Sequence, residues 1–308
     1  MSYGSYDGRQ PGTNEVREAA REKAREIREQ HKKKDRRRRA IRNLSIIGAT
    51  VAIVGIVALV LVNVDRGPSR GPLNMASDGI KIGSELTAVR TAGVAAEDEP
   101  QPSQPNADNV LDIRIYVDYL CPNCGEFMAK NGDNLQAWAE SGAATVEIHP
   151  LAPLTTKSAG DQYSLRAANA AACVAEYSPD SFFAFHRSLF VNQPKEGEAG
   201  FSDDELVDRA QRAGGINMSK IEDCIKEQQF SSWVRSATVR ALNGPLPDSD
   251  VEAVAVTPTI LVNGKQFKYS ADFDPNELSQ FIVQAAGESF NANPTPEPTP
   301  SASPSTKG

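Results

Sequence analysis

The sequence has few of the side chains that bind metals, with only four cysteines and three histidines in 308 residues. A structural zinc site usually takes four Cys or His ligands, often as two close pairs. Only Cys121 and Cys124 form a close pair, and Gly125 follows them where covalent haem attachment requires histidine. We therefore expect neither a bound metal nor a cofactor.

Charge is missing altogether from residues 44–64, LSIIGATVAIVGIVALVLVNV. A helix of this length spans roughly 30 Å, the thickness of the hydrocarbon core of a bilayer. A buried core helix seldom runs so far without a polar face. A cleaved signal peptide is the competing interpretation, but the run is long for one and no clear cleavage site follows it. The pattern predicts an uncleaved transmembrane signal anchor.

The segment before this run is strongly basic. Residues 1–43 contain 14 Lys/Arg and 7 Asp/Glu, with HKKKDRRRRAIRN directly before the apolar run. The positive-inside rule then predicts a single-pass protein of the cell membrane with a cytoplasmic N-terminus and residues 66–308 outside. Membrane topology and contact with anionic lipid explain the basic residues, so we expect no nucleic-acid partner.

Hydrophobic periodicity in the exported part predicts a small sheet with helices packed on it. Residues 110–118 alternate as a strand, although the polar character of one face suggests that this strand starts partly open. A helix is expected at 122–140, a strand at 144–151, and a hairpin at 257–267 around its Asn-Gly turn. A short edge strand is expected within 79–89.

Residues 157–243 are mostly helical in character. Two capping boxes are expected to start helices there, Ser202 with Glu205 and Ser219 with Glu222. Because this helical block separates the predicted second strand from the hairpin, it reads as an insertion into an α/β unit.

The Cys121–Cys124 pair is typical of a redox couple. Cys121 directly follows a predicted strand and starts a predicted helix, with Pro122 at the first helical position. Unpaired backbone N–H groups and the positive end of the helix favour a thiolate there. Cys124, one turn further along, would be the partner thiol. An inert disulfide would restrain only a four-residue loop and would stabilise the fold little.

The other two cysteines, Cys173 and Cys224, each lie in a predicted helix of the insertion. A bond between them would close a loop of about 50 residues, for which chain entropy gives roughly 4 kcal/mol. We interpret the pair as a structural disulfide of an exported domain. Two free buried thiols or a second exchange pair are the alternatives.

The segments YVDYLCPNC, FFAFHRSLF, FSDDELVDRA and VTPTILVNGK together resemble the DsbA-like thiol–disulfide oxidoreductases of bacterial envelopes. The resemblance covers about residues 75–290. It implies a thioredoxin fold with an inserted helical domain, with Cys121 as nucleophile and Cys124 as its partner. It also implies that Thr257 and Pro258 form a cis-proline loop beside the cysteines. An ordinary trans proline at the start of a strand is the alternative for Pro258.

This chain departs from the family pattern at two places. The strongly oxidising members have His before the second cysteine, whereas this chain has Asn123, so we expect a less depressed Cys121 pKa and a milder oxidant. Many thioredoxin-fold enzymes keep a buried carboxylate under the site, where this chain has Ile115. Asp118 and Glu147 are the available acids. Asp118 is the candidate proton acceptor for Cys124, with a loop-capping role as its alternative. His149 could approach the site, but a structural or solvated role is favoured.

The predicted organisation follows from these segments: a basic cytoplasmic segment (1–43), a transmembrane signal anchor (44–64), a linker with an edge strand (65–108), the first part of the thioredoxin domain (109–156), the helical insertion (157–243), the second part (244–290) and a disordered Pro/Ser/Thr tail (291–308).

The predicted function is an extracytoplasmic oxidase that introduces disulfides into exported proteins through the Cys-Pro-Asn-Cys couple. Its expected partners are reduced or unfolded exported proteins and a membrane electron-transfer protein that reoxidises it. A reductase or isomerase on the same fold is one alternative, and a non-catalytic envelope binding module is another. The sequence shows no dimerisation module, so we expect a monomer.

Overall fold

The structure, a computed structural model, describes residues 70–107, 109–270 and 273–292. The predicted cytoplasmic segment and the signal anchor lie outside these ranges, as does the tail from residue 293 onwards. Among the helices within the described ranges, none is both long and apolar enough to cross a membrane.

A five-stranded mixed sheet forms the centre of the described residues. Its strands lie in the order β1-β3-β2-β4-β5, with β2 parallel to β3 and the other neighbouring pairs antiparallel. Both the predicted edge strand and the predicted hairpin are present. The strands are β1 (Ile80–Ile82), β2 (Leu111–Asp118), β3 (Ala144–Leu151), β4 (Thr259–Val262) and β5 (Lys265–Phe267).

The turn between β4 and β5 is made by Asn263 and Gly264. Both residues have positive φ, 49° and 77°. A two-residue hairpin loop of this kind matches the twist of its strands only with both central residues in the left-handed region, which Asn and Gly adopt at low cost. The turn aligns β5 with β4, and Asn263 also exchanges two hydrogen bonds with Asp112 of β2, which hold β4 beside β2.

The predicted partly open start of β2 is confirmed at its first polar residue, because Asp112 is half-buried. The rest of the polar face is buried, with Arg114 only 9% exposed. The Arg114 guanidinium donates from Nε to Asp112 Oδ2 at 2.7 Å and from Nη1 to the Pro247 carbonyl at 2.6 Å. Further along, Tyr116 packs in a small apolar cluster with Leu246 and other residues of the 241–261 region. Charge pairing and a covering loop bury this face, and neither is visible in strand periodicity.

Seven α-helices surround the sheet in the described residues. The helix predicted at 122–140 is present with those bounds. The last helix extends to residue 292, two residues into the predicted tail. The helices are α1 (Pro122–Glu140), α2 (Tyr163–Tyr177), α3 (Phe182–Phe190), α4 (Asp203–Arg212), α5 (Met218–Lys226), α6 (Ser231–Asn243) and α7 (Pro275–Ala292).

Helices α2 to α6 form the block predicted as an insertion. The capping box of Ser202 and Glu205 starts α4, with both reciprocal hydrogen bonds made. The second predicted box is wrong, because α5 begins at Met218 after a left-handed Asn217 that makes no side-chain cap. An N-cap is a residue of non-helical conformation, and here that residue lies two positions before Ser219.

A disulfide ties two of these helices together. Cys173 in α2 and Cys224 in α5 are bonded, with an S–S distance of 2.03 Å and a Cα–Cα distance of 5.8 Å. Both residues lie in the main hydrophobic core, which is continuous from the sheet into the insertion. The insertion therefore packs as an extension of the central fold rather than as a separate body.

Candidate active site

The two remaining cysteines lie where β2 leads into α1. Cys121 is the N-cap residue of α1, with extended backbone angles, and Pro122 takes the first helical position. The Cys121 carbonyl accepts hydrogen bonds from the backbone N–H groups of Cys124 and Gly125, at 3.1 and 3.2 Å. Both cysteines are free thiols, and Cys121 is 6% exposed against 0% for Cys124. Of the two cysteines, Cys121 is therefore the more exposed.

The two thiols have opposite electrostatics. A hydrogen bond from the Cys124 thiol is the main cause that lowers the Cys121 pKa to about 6, with Thr257 adding a second hydrogen bond. Burial raises the Cys124 pKa well above its ordinary value, and the same hydrogen bond to Cys121 raises it further. At neutral pH the reduced site therefore holds a thiolate on Cys121 and a proton on Cys124.

The segment before β4 closes the site from the other side. The peptide bond between Thr257 and Pro258 is cis, and Cys121 Sγ lies 3.2 Å from the Thr257 carbonyl oxygen. Tyr269 lies in the connection from β5 to α7, and its hydroxyl donates to the Pro258 carbonyl at 3.1 Å. The structure thus brings Thr257 and Pro258 against the Cys121 sulfur, although more than 130 residues separate them from Cys121 in the sequence.

Asp118, the candidate proton acceptor, is fully buried at the end of β2. Its carboxylate accepts hydrogen bonds from the backbone N–H groups of Leu120 and Leu154, at 2.8 and 2.9 Å, and from the Ser164 hydroxyl at 2.6 Å. Burial raises the Asp118 pKa to about 6. These three hydrogen bonds are those of a residue that caps a loop. The Asp118 backbone also hydrogen-bonds to the Cys124 thiol. Its role as proton acceptor stays a prediction.

The other residues singled out in the sequence lie in different settings. Asn123 is exposed beside the two cysteines. Ile115 is fully buried in the core. Glu147 accepts hydrogen bonds from Ser77 and Ser103.

His149 is a buried structural residue. Its ring stacks on Tyr116 with ring centroids 4.3 Å apart, and Nε2 lies 3.5 Å from Glu147 Oε1. Burial lowers the His149 pKa, so the ring is neutral at physiological pH. Tyr116 and Glu147 belong to the polar face of the sheet. His149 helps to fill the space between this face and the covering loop.

Sequence reasoning missed a set of contacts from the insertion to the redox loop. The Gln193 side-chain amide, in the turn after α3, donates from Nε2 to the carbonyls of Tyr119 and Cys121, both at 2.9 Å. The Tyr119 hydroxyl lies 3.0 Å from Nδ1 of the buried His186 in α3. No local motif announces either contact, because each joins residues about 70 positions apart.

The described residues contain no group of three or more His, Cys, Asp or Glu side chains placed to hold a metal ion. What the geometry can support is thiol–disulfide chemistry. It provides a thiolate on the more exposed of the two cysteines, a buried partner thiol one turn along the same helix, and a cis-proline segment whose Thr257 carbonyl lies against the reactive sulfur.

Comparison with known proteins agrees with this geometry. The sequence model described as thioredoxin matches residues 101–284. Disulfide bond formation protein D of Bacillus subtilis is 27% identical over 183 residues, which cover 56% of this chain and 72% of that protein.

Two solved structures from Mycobacterium tuberculosis are also similar. The reduced form of a disulfide bond oxidoreductase (DsbG) is 29% identical with a TM-score of 0.52, and the match covers 69% of this chain and 89% of that chain. Oxidised DsbA is 29% identical with a TM-score of 0.52, with coverage of 68% and 93%. The chain therefore belongs to the thioredoxin family, within which it is a DsbA-like thiol–disulfide oxidoreductase.

Proposed function

We propose that this protein is a disulfide donor for exported proteins, with Cys121 and Cys124 as its redox couple. The observation that carries the proposal is the Cys121 thiol itself. It lies at the N-terminus of α1, its pKa is lowered to about 6, and its sulfur faces the Thr257 carbonyl.

The reaction starts from the oxidised enzyme, in which Cys121 and Cys124 are joined. A substrate thiolate attacks Cys121 Sγ, which forms a mixed disulfide and releases Cys124 as a thiolate. Because the Cys124 pKa is raised, this sulfur takes up a proton, for which the Asp118 carboxyl at the end of β2 is the proposed donor. A second substrate thiolate then attacks the substrate sulfur and expels Cys121. The substrate gains a disulfide and the enzyme ends as the dithiol.

The low Cys121 pKa favours this direction. A thiol of low pKa leaves faster and stabilises the reduced enzyme, which makes the couple more oxidising. Thiol pKa values are about 7 in thioredoxin and about 3.5 in DsbA. A value of about 6 therefore indicates an oxidant milder than the strongest members, in accord with an uncharged Asn123 before Cys124.

The Thr257 backbone is the proposed docking edge for the substrate. An extended polypeptide can pair with a free backbone segment as an added strand, which selects for unfolded chains without reading their sequence. Thr257 is half-buried and Val256 beside it is 61% exposed, so an approaching chain meets an apolar side chain next to the reactive sulfur.

The proposed location is the outer face of the cell membrane, with residues 44–64 as the anchor and the N-terminus in the cytoplasm. The charge-free run behind a basic segment supports it. The Cys173–Cys224 disulfide also supports it, since structural disulfides persist in oxidising compartments. A membrane electron-transfer protein would reoxidise the dithiol.

The direction is tested with the oxidised full-length chain and a reduced peptide that carries two cysteines. We expect the peptide disulfide and the enzyme dithiol to form together, with no transfer in the Cys121→Ala variant. A peptide that stays reduced would contradict the oxidase proposal. A preference for rearranging mispaired disulfides would favour an isomerase.

The topology is tested by protease digestion of cells stripped of their wall. The proposed orientation predicts that the protease removes the region after residue 66 and leaves the N-terminal segment protected.

A further inference from the structure

The structure assigns to Gln193 the role of a positioning residue that helps to set the acidity of Cys121. This inference rests on the proposed function, since it concerns the same redox couple. Gln193 lies outside the Cys-Pro-Asn-Cys motif and outside the Thr257–Pro258 segment, in the turn that follows α3 of the insertion.

The Gln193 amide is fully used as a donor. Nε2 carries two hydrogens, and each points to a backbone carbonyl of the redox loop, that of Tyr119 and that of Cys121, both at 2.9 Å. The two carbonyls flank Leu120, so one side chain holds the backbone from the residue after β2 to the N-cap of α1. The insertion therefore holds the nucleophile in its N-cap geometry.

The residues before Gln193 set the direction of its side chain. Helix α3 ends at Phe190, and Asn192 has a left-handed backbone with φ of 55°. Asn tolerates that conformation better than most residues. The turn thus carries the chain back towards α1 just before Gln193.

Gly125 supplies a second observation about the same side chain. It follows Cys124 in α1, and a Cβ placed on it would overlap Gln193 Oε1. A glycine inside a helix costs roughly 1 kcal/mol relative to alanine. Here its missing side chain leaves the space that the Gln193 amide occupies. The absence of a side chain at Gly125 therefore allows Gln193 to make its two hydrogen bonds to the redox loop.

The electrostatic consequence follows from the direction of the amide dipole. The Cys121 carbonyl already accepts from the N–H groups of Cys124 and Gly125, so Nε2 of Gln193 adds a third positive dipole end to the start of α1. Positive dipole ends at a helix N-terminus favour a thiolate. By holding Cys121 in place, Gln193 also keeps its sulfur within reach of the Cys124 thiol, the main cause of the low pKa.

Two variants of Gln193 separate positioning from mere packing. Gln193→Ala removes both hydrogen bonds, whereas Gln193→Glu keeps the size but offers oxygen atoms and a negative charge to the two carbonyls. We expect the alanine variant to raise the Cys121 pKa by about half a unit to one unit, which lowers the thiolate fraction at pH 6 about two- to five-fold. The glutamate variant should raise it further. Gly125→Ala should shift it in the same direction by displacing the amide.

The readout is the rate of Cys121 alkylation as a function of pH in the reduced full-length chain. Gln211→Ala is the matched control, since Gln211 is an exposed residue of α4 in the same insertion. Its midpoint should equal that of the wild type, and circular dichroism checks that each variant is folded. Midpoints of all three site variants within about 0.2 units of the wild type would overturn the inference.

Failure of the proposed function would look different. If the wild-type oxidised chain transfers no disulfide to a dithiol peptide, the oxidase proposal fails. Because alkylation needs no turnover, the midpoints still decide the role of Gln193. If transfer occurs but the Gln193 variants keep both the wild-type midpoint and the wild-type reduction potential, only the inference fails.

Discussion

At the scale of single residues, the reduced site is a pair of thiols that share one proton. Cys124 is buried and protonated, and its S–H stabilises the Cys121 thiolate. The reactivity of Cys121 therefore depends on the donor capacity of its partner as well as on the helix terminus.

This dependence predicts a graded effect of substitutions at Cys124. Cys124→Ala removes the donor, and since hydrogen bonds to charged groups contribute about 1.5–3 kcal/mol, the Cys121 pKa should rise from about 6 by roughly one to two units. Cys124→Ser keeps a hydroxyl donor and should cause a smaller rise. The pH dependence of iodoacetamide labelling measures both. Equal pKa values in the two variants would show that the donor is irrelevant.

A second prediction separates the two roles of Asp118. Asp118→Asn leaves at least one of its three hydrogen-bond donors without an acceptor, which should lower the free energy of unfolding by about 1–3 kcal/mol. If Asp118 also gives a proton to Cys124, formation of the mixed disulfide loses its pH dependence near pH 6 in the variant.

Ser164→Ala is the matched control for that experiment, because it removes one contact to the carboxylate and leaves the acid in place. Stopped-flow mixing of the oxidised variants with a monothiol gives the rates. A pH profile of Asp118→Asn equal to that of the wild type would restrict Asp118 to loop capping.

The sequence identified the residues with intrinsic chemistry but not those that act by position. Cys121 and Cys124 stand out by spacing, and Pro258 by its family context. Gln193 carries no such signal, since a glutamine in a polar turn is ordinary until the turn is placed beside α1. The burial of Arg114 on the polar face of β2 was not predicted for the same reason, because the loop that covers this side chain lies far away in the chain.

At the scale of elements, the clearest predictions came from local rules. The Asn-Gly hairpin and the capping box of α4 are each determined within a few residues, and both are present. The second capping box failed because the preceding Asn217 adopts the left-handed conformation and ends the loop earlier. Helix boundaries depend on such backbone choices more than on composition.

The disulfide between α2 and α5 is predicted to stabilise the insertion without tuning the redox couple. Removing it by Cys173→Ala with Cys224→Ala should lower the free energy of unfolding by about 2–5 kcal/mol, because it closes a long loop. The reduction potential of Cys121–Cys124 should stay unchanged. Urea unfolding and glutathione equilibration of the same double variant measure the two quantities. A shifted potential would mean that the insertion transmits strain to the site.

At the scale of the whole molecule, buried histidine makes stability sensitive to acid. His186 is fully buried among Phe182, Phe190 and Tyr119, and burial lowers its pKa to about 3. An unfolded histidine binds a proton below about pH 6.5, whereas the folded one stays neutral. The unfolded state therefore gains protons first, and stability falls as the pH drops from about 6.5 towards 3.

The predicted contribution of His186 is about 1.4 kcal/mol of unfolding free energy per pH unit within that window. His186→Gln keeps a partner for the Tyr119 hydroxyl but does not titrate. Its stability at pH 7 should be lower than that of the wild type, while its loss between pH 6 and pH 4.5 should be shallower by this amount. Urea unfolding at the two pH values gives the comparison, and parallel losses would contradict the assignment.

The central claim is that the Cys121–Cys124 couple donates disulfides. The most direct test is the reduction potential of the full-length chain in glutathione buffers, followed by alkylation of Cys121 and mass measurement. A value in the range of about −120 to −200 mV would place the couple with disulfide donors, as the account predicts. A value near −270 mV, roughly that of thioredoxin, would place it with reductants and contradict the proposed direction.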